Sequence, residues 1–465
     1  MAERKLLGYN RIRAIPGNVS DMRGSVLMFA RNPFFKMFWT VTAIAGVLIM
    51  AAPARASRIT AAQDSGDKAL LAELLKLNQA TTDELQKVKL RQLRQDKAKA
   101  KALVELAVKI LDSENGRKLN YNAIAILGRT AHSLKNHDAA ERLYERQLEL
   151  AQKVKKSAES IIDAYENLII LYFDMKRYDQ VIDTCERFLD LKGPEELERV
   201  KPFIIERLVQ AKAKKGDFDE AMRITRGLLE LTNNSWYFLR LKGWVEREAE
   251  KYKDAIKTFE QVLDKLDTDE DLKAEIKDRE KDRTRYILSA LYLDAGDVDS
   301  ATKQLQILVK KNPDNATYKN DLGYIWADHD RNLDEAEKLI REALELDRKE
   351  KEKLKAKGEI DEVRENAAYL DSMGWVLFKK KKYKEALEYL KKAVEDEEEG
   401  QHLEIWDHLG DCYMALGMVQ EAIAAWEKGL KTEDISKRDG ERRRKVSEKL
   451  KKAREGQSSS GRKKD

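Results

Sequence analysis

Small, aliphatic and aromatic residues recur along most of the chain with the spacing of paired amphipathic helices. The clearest copy contains Trp406, Leu409, Gly410, Tyr413, Ala422 and Trp426. Gly410 and Ala422 are small where two antiparallel helices would touch, and the aromatic side chains would fill the space around that contact. One pair of helices cannot bury its apolar face alone, so this copy predicts neighbours of the same kind.

Eight copies of this pattern align between residues 121 and 436, at a spacing of about 34 residues. They start at or near Tyr121, Ile162, Pro202, Trp236, Asp282, Ala316, Ala367 and Leu403. Two charge-dense insertions, residues 267–281 and 348–366, interrupt the spacing, and we expect each to lengthen a helix or to add a solvated loop. The pattern therefore predicts an all-α fold of about eight helix-turn-helix units.

The first 56 residues differ in composition from the rest of the chain. They are rich in Lys and Arg, and an uncharged apolar run from Met37 to Ala52 precedes Pro53-Ala-Arg-Ala56. These features describe a signal peptide cleaved after Ala56. An uncleaved membrane anchor at residues 37–52 and an organelle presequence are the alternatives. Residues 57–120 begin with a short linker to residue 66 and then predict an N-terminal helical cap, with a coiled-coil arm as the alternative.

The distribution of charge argues against nucleic acid as the general partner. The formal net charge is +5, and the basic excess of the first 56 residues accounts for it. Residues 437–465 are locally basic and predict a helix from Arg442 to Arg454, followed by a disordered end from Gly456. We interpret this segment as a solvated cap, and binding of an anionic polymer is the alternative.

The sequence offers no catalytic, cofactor or metal constellation. It contains neither a Gly-rich phosphate loop nor a G-x-S-x-G motif, and its five histidines lack a metal-ligand spacing such as H-E-x-x-H. His402 and His408 lie near two acidic residues, and a solvated helix face explains them better than a metal site does. Cys185 and Cys412 are expected to be buried free thiols. We therefore predict a protein that is not an enzyme and needs no cofactor.

The repeated pattern, W-x2-L-G-x2-Y followed by A-x3-aromatic, resembles the tetratricopeptide repeat (TPR) family over residues 121–436. Three segments are similar to a trio found in bacterial exported TPR proteins: Asn320 to Asp328, Tyr369 to Trp375, and Asp407 to Asp411. The resemblance implies a right-handed superhelical solenoid and a location in the periplasm or cell envelope. The insertion at 348–366 departs from the trio, where a short turn is usual, so the angle between the sixth and seventh repeats stays open.

In this family, the first helices of the repeats line a concave groove that binds peptides or partner helices. With 100° per residue, repeat positions 2, 5, 9 and 12 lie opposite the positions that face the repeat core. The candidate binding residues on that side are Tyr237, Arg240, Trp244, Arg247, Arg283, Tyr286, Asn320, Tyr324, Asp371, Trp375, Phe378 and Asp411. Aromatic residues beside arginines are typical of binding hot spots. The alternative is that these side chains pack against a neighbouring helix or an inserted segment.

We therefore predict a non-enzymatic protein-protein interaction scaffold of the bacterial cell envelope, with a partner segment bound in the groove. The alternatives are a membrane-tethered spacer or assembly factor, and the regulatory subunit of an envelope enzyme. The partner is expected to be a protein or peptide rather than a nucleic acid. Membrane association would depend on residues 37–52.

Overall fold

The computed structural model describes residues 60–153, 157–358, 360, 362–397, 399–432 and 437–461. Within these ranges all regular secondary structure is helical, so the all-α prediction is confirmed. Among the helices described, none combines the length and apolar character needed to cross a membrane. The predicted signal peptide, its cleavage site and the alternative anchor at 37–52 lie outside the described residues.

The chain divides into two compact units after Thr258. The helices that begin in the first unit are α1 (Thr60–Lys76), α2 (Asp83–Gln95), α3 (Lys97–Ile110), α4 (Glu114–Arg117), α5 (Tyr121–Ser133), α6 (His137–Lys153), α7 (Ala158–Asp174), α8 (Tyr178–Leu189), α9 (Glu195–Lys214), α10 (Phe218–Leu231), α11 (Trp236–Glu248) and α12 (Tyr252–Thr268). A short 3-10 helix, Leu77–Gln79, follows α1. The division falls inside α12.

The second unit contains the end of α12 and nine further helices of the described chain. These are α13 (Ala274–Asp294), α14 (Val298–Lys311), α15 (Ala316–Asp328), α16 (Leu333–Ala356), α17 (Ala367–Lys379), α18 (Tyr383–Glu395), α19 (Leu403–Ala415), α20 (Val419–Gly429) and α21 (Lys437–Gly461). In both units, consecutive helices pack as pairs, for example α5 with α6 and α19 with α20.

Five predicted repeat starts coincide with the first residue of a helix. They are Tyr121, Trp236, Ala316, Ala367 and Leu403. The side chains of Asn120, Asn315 and Asn366 cap three of these helices by accepting a hydrogen bond from a backbone N–H of the first turn. The helices α7, α9 and α13 begin four to eight residues earlier than predicted. In α9 the acidic first turn favours this extension, because carboxylates stabilise the positive end of a helix.

The predicted contact between small and bulky residues is present in the repeat cores. A Cβ atom at Gly410 would overlap the indole of Trp426, and one at Gly374 would lie 2.5 Å from Cγ of Leu390. A Cβ atom at Gly128 would lie 2.5 Å from the Tyr144 ring. The two helices of a repeat therefore approach more closely than a larger residue would allow. These glycines maintain the repeat core.

The two insertions lengthen helices, as the sequence predicts. The first gives α13 additional turns before its repeat segment, and the second extends α16 to Ala356, for a total of 24 residues. The ends of the described chain are also more helical than predicted. The helix α1 begins at Thr60, inside the expected linker, and α21 continues to Gly461, past the expected start of disorder at Gly456. Neither stretch contains a proline that would stop a helix.

Candidate protein-binding surfaces

The twelve candidate groove residues all lie on first helices of repeats, as predicted, but their environments differ. Asn320, Asp371 and Trp375 are buried, and the other nine are partly buried. The expectation of an open groove is therefore wrong for these three residues. Asp371 and Trp375 are buried because the neighbouring repeat packs against them and the C-terminal helix lies beyond that repeat.

In the first unit, α11 carries four candidates on one side of the helix. Tyr237, Arg240, Trp244 and Arg247 follow each other at intervals of three or four residues, and each is partly buried. The guanidinium carbon of Arg240 lies 4.9 Å from the centre of the Tyr237 ring, and Nζ of Lys214 lies 5.7 Å from that of Trp244. Cations stacked on aromatic faces form a surface that suits aromatic and acidic partner groups.

Tyr237 also connects α11 to α9. Its hydroxyl donates a hydrogen bond to the Glu206 carboxylate, which also accepts one from Nε2 of Gln210 at 3.2 Å. Burial, together with the Glu206 carboxylate, raises the pKa of Tyr237 well above its usual range. Tyr237 therefore stays neutral and acts as a fixed donor.

A polar network that the repeat pattern did not reveal joins α5, α6 and α7. Gln147 is fully buried, and its Nε2 donates to the Tyr121 hydroxyl and to Oδ2 of Asp163, both at 2.8 Å. Its Oε1 accepts from Nδ2 of Asn167 at 3.0 Å. Arg129 forms an ion pair with Asp163. Gln147 belongs to a second helix, so a search of first-helix positions misses it, and the network serves the fold of the first unit.

Glu166 on α7 is a mostly buried carboxyl group with an altered pKa. Burial and the neighbouring Asp163 raise the pKa of Glu166 to about 7, although Arg207 and Arg129 oppose the shift. Its charge near pH 7 therefore depends on its surroundings, including any bound partner. The sequence gives the position of Glu166 but not its pKa, because the shift depends on burial.

In the second unit, two further candidates line a cavity of about 490 Å³ formed by α13, the end of α14 and α15. The lining residues are Asp278, Arg279, Asp282, Arg283, Tyr286, Lys311, Asn312 and Tyr318. The rings of Tyr286 and Tyr318 are 5.4 Å apart, and Nζ of Lys311 lies 2.8 Å from Oδ1 of Asp282. The first insertion supplies one wall, because it adds the turn of α13 that carries Asp278 and Arg279. Arg283 and Tyr286 thus line the same cavity.

Asp371 and Trp375 belong to a buried cluster centred on His408, also in the second unit. Nδ1 of His408 lies 2.9 Å from Oδ1 of Asp371, and the imidazole stacks on the Trp375 ring with 3.9 Å between centroids. The indole Nε1 of Trp375 donates a hydrogen bond to Oδ1 of Asp328 at 3.1 Å. The Phe378 ring also stacks on the Trp375 ring, with 4.9 Å between the ring centroids. His408 is 1% exposed, so the expectation of a solvated helix face is wrong for this residue.

The charge of His408 is set by opposing effects. Burial disfavours the imidazolium, but the Asp371 carboxylate stabilises it, and the pKa of His408 is raised overall. The pair is thus an ionic contact inside the unit. No group of three or more potential metal ligands occurs in the part of the chain that the structure describes.

The basic helix α21 covers the last candidate, Asp411. Nζ of Lys449 lies 2.7 Å from Oδ2 of Asp411 and 2.7 Å from Oδ1 of Asp407, and Arg442 pairs with Glu404 and Asp407. The first-helix face of the last repeat is thus filled by the chain itself. Asp411 lies on the predicted side of α19, but it faces a C-terminal helix rather than open solvent.

Comparisons with known proteins agree with the helical pairs. Sequence models described as tetratricopeptide repeat match residues 123–157, 289–351 and 377–434. A TPR repeat-containing protein of Pseudomonas aeruginosa is 31% identical over 121 residues. That match covers 25% of this chain and 18% of the relative, so the chain spans less than a fifth of the curated relative's length.

The chain also matches solved structures at low TM-scores, among them the following three. Yeast Tom70 is 15% identical, with 85% of this chain and 97% of that chain covered and a TM-score of 0.40. A tetratricopeptide repeat protein from Parabacteroides merdae is 13% identical, with 61% and 98% covered and a TM-score of 0.40. Residues 41 to the end of MamA from Desulfovibrio magneticus RS-1 are 20% identical, with 42% and 93% covered and a TM-score of 0.31.

Proposed function

Because the chain is a tetratricopeptide repeat protein, we propose that it is a non-enzymatic scaffold of the bacterial cell envelope that binds a segment of a partner protein along α11. Repeats of this kind generally serve as protein-protein interaction scaffolds. The choice of α11 is supported by its contrast with α17 and α19. Asp371 and Trp375 on α17 are buried and Asp411 on α19 is paired with Lys449, whereas Trp244 on α11 is a partly accessible aromatic side chain.

The chemistry of the α11 surface defines the partner segment. Trp244 offers an aromatic face with a cation beside it, and Arg240 and Arg247 lie one turn to either side. An extended or helical segment with an apolar or aromatic anchor and acidic neighbours would complement these groups. Affinity would come from burial of the Trp244 ring, and the arginines would set the charge preference. In the second unit, the cavity beside Arg283 and Tyr286 offers the same combination of groups.

Replacement of Trp244 with alanine tests this surface. We expect the variant to keep its helical content and to lose most of its captured partner, because truncation of an aromatic anchor typically costs about 2 kcal/mol or more of binding energy. The measurement is crosslinking and affinity capture in the native envelope, quantified against the wild-type chain. Leu231→Ala is the matched control, because Leu231 is a large exposed apolar residue on the second helix α10. Equal capture by wild type and Trp244→Ala would remove α11 from the proposal.

The envelope location depends on the basic and apolar segments before residue 57. We expect export with cleavage after Ala56, so that the mature chain begins at Ser57. Mass spectrometry of the N-terminus of the protein isolated from its native cells measures this directly. A chain that retains residues 37–52 and fractionates with membranes would instead support the tethered spacer.

A further inference from the structure

The first-helix face of the last repeat carries three carboxylates within two turns of α19. Glu404, Asp407 and Asp411 lie on one side of the helix, and Asp407 has a side chain only 6% exposed. Grouped and partly desolvated carboxylates repel one another and require cations nearby. The pKa of Asp411 is raised by burial and by Asp407, and Lys449 opposes this shift. This face is therefore matched to a positively charged partner.

The helix α21 supplies that partner within the chain, in a recognisable pattern. Arg442 and Lys449, seven residues apart, provide the cations for the three carboxylates. Val446, Leu450 and Ala453 lie between and beyond them and are buried against the last repeat. Spacings of four, seven, eight and eleven residues from Arg442 define one face of a helix. The occupant is thus a basic amphipathic helix with an apolar stripe.

The contacts of α21 combine a short apolar stripe with several ion pairs and hydrogen bonds. Its buried apolar side chains are few, whereas Arg443 donates to the carbonyls of Leu430 and Thr432, and Arg454 pairs with Glu427. The side chains of Arg442 and Lys449 remain 26% and 34% exposed. Salt screens the more exposed of these pairs, such as Arg454 with Glu427, which are 58% and 38% exposed. Covalent connection raises the local concentration of α21 at this face to the millimolar range, which favours it over any free helix.

From these contacts, we propose that the acidic face of α19 is a binding site for a basic amphipathic helix of a partner protein, and that α21 occupies this site within the chain. Counted with the residue equivalent to Arg442 as the first, the site accepts cations at the first and eighth positions of the incoming helix. It accepts apolar residues at the fifth, ninth and twelfth positions. This surface is separate from α11, so the proposal does not depend on Trp244.

The test uses a labelled synthetic peptide of residues 440–456 and the full chain. In the double variant Arg442→Glu/Lys449→Glu, the chain's own helix is repelled by the acidic face. We expect this variant to bind the peptide about tenfold or more tighter than the wild-type chain does, measured by fluorescence anisotropy at low salt. The same peptide with both glutamates is the control and should bind neither chain. Equal binding of the unmodified peptide by both chains would overturn the proposal.

Further binding experiments distinguish a site for a partner helix from a permanent cap and from a misfolded variant. An unrelated peptide that keeps only the two cations and the three apolar positions should bind the double variant, and its failure would also overturn the proposal. Val446→Asp should undock α21 by placing a charge in its apolar stripe, and it leaves both cations in place. This variant replaces the double variant if circular dichroism shows that the double variant is unfolded. Adding Asp407→Lys and Asp411→Lys to the double variant restores opposite charges between α21 and α19, so that chain should bind neither the unmodified peptide nor the glutamate peptide. Continued binding of the unmodified peptide by that chain would count against the assigned face.

Discussion

Replacement of His408 with alanine is expected to lower the free energy of unfolding of the second unit by about 3–5 kcal/mol. The substitution leaves the buried carboxylate of Asp371 without its partner at 2.9 Å and removes the ring that stacks on Trp375. An unpaired buried charge costs more than the original pair contributed, because water cannot replace the missing cation. Urea unfolding followed by circular dichroism measures the effect as a shift of the midpoint.

His132 provides a matched control in the first unit. It also lies 2.8 Å from an aspartate, Asp174, but the two side chains are 18% and 40% exposed. We expect His132→Ala to cost no more than about 1 kcal/mol, because solvent screens a partly exposed pair. Similar costs for both substitutions would show that the burial of the His408 pair does not determine its contribution.

The pH dependence of the same pair has a definite sign. The raised pKa of His408 means that the folded chain binds this proton more tightly than the unfolded chain does. The resulting stabilisation is complete below the unfolded histidine pKa of about 6.5 and is lost as pH rises through the folded value. Burial also raises the pKa of Asp371, although His408 opposes it, and this shift has the same sign. We therefore expect the wild-type chain to lose more stability than His408→Gln as the pH rises above about 6.5.

The helical pairs could be predicted from the sequence because their contacts are local. Gly410 and Trp426 lie sixteen residues apart in one repeat, and a spacing argument is sufficient to place one against the other. The lengths of α9 and α13 were harder to predict from the sequence. Their early starts depend on charged residues that lie outside the repeat and favour a helix without belonging to the apolar pattern.

The binding surface was only partly predictable, for a physical reason. Repeat positions fix which side of a first helix a residue occupies, and all twelve candidates lie on first helices. Repeat positions do not fix which other segments of the chain pack against that side of the helix. Asp371 meets His408 from the following repeat, and Asp411 meets Lys449 from a helix beyond the repeats. Such contacts depend on the packing of segments that are distant in sequence, which the periodicity of one helix does not contain.

The placement of α21 also changes the interpretation of the basic C-terminal segment. Local positive charge after residue 437 is compatible with an anionic polymer as ligand, yet several of these cations are paired with carboxylates of the chain itself. Arg442, Lys449 and Arg454 contact acidic side chains on α19 and α20. The charge therefore supports recognition between helices. This favours protein partners at both surfaces, an aromatic and arginine surface on α11 and an acidic surface on α19.

Trp375→Ala is expected to cost about 3–5 kcal/mol, whereas Trp244→Ala should cost about 1 kcal/mol. Trp375 is 8% exposed, stacks on His408 and donates to Asp328, so truncation opens a cavity and leaves polar groups unpaired. Loss of partner capture by Trp375→Ala would thus report unfolding of the second unit, and only Trp244→Ala reports on a surface.

Urea unfolding of both tryptophan variants and of the double variant His408→Ala/Trp375→Ala completes this test. Because the two rings are in contact, we expect the double variant to lose about 1–3 kcal/mol less than the sum of the single losses. His408→Ala combined with Trp244→Ala is the control and should be additive, since those residues belong to different units. Additive losses for His408 and Trp375 would mean that the stacked contact contributes nothing to stability.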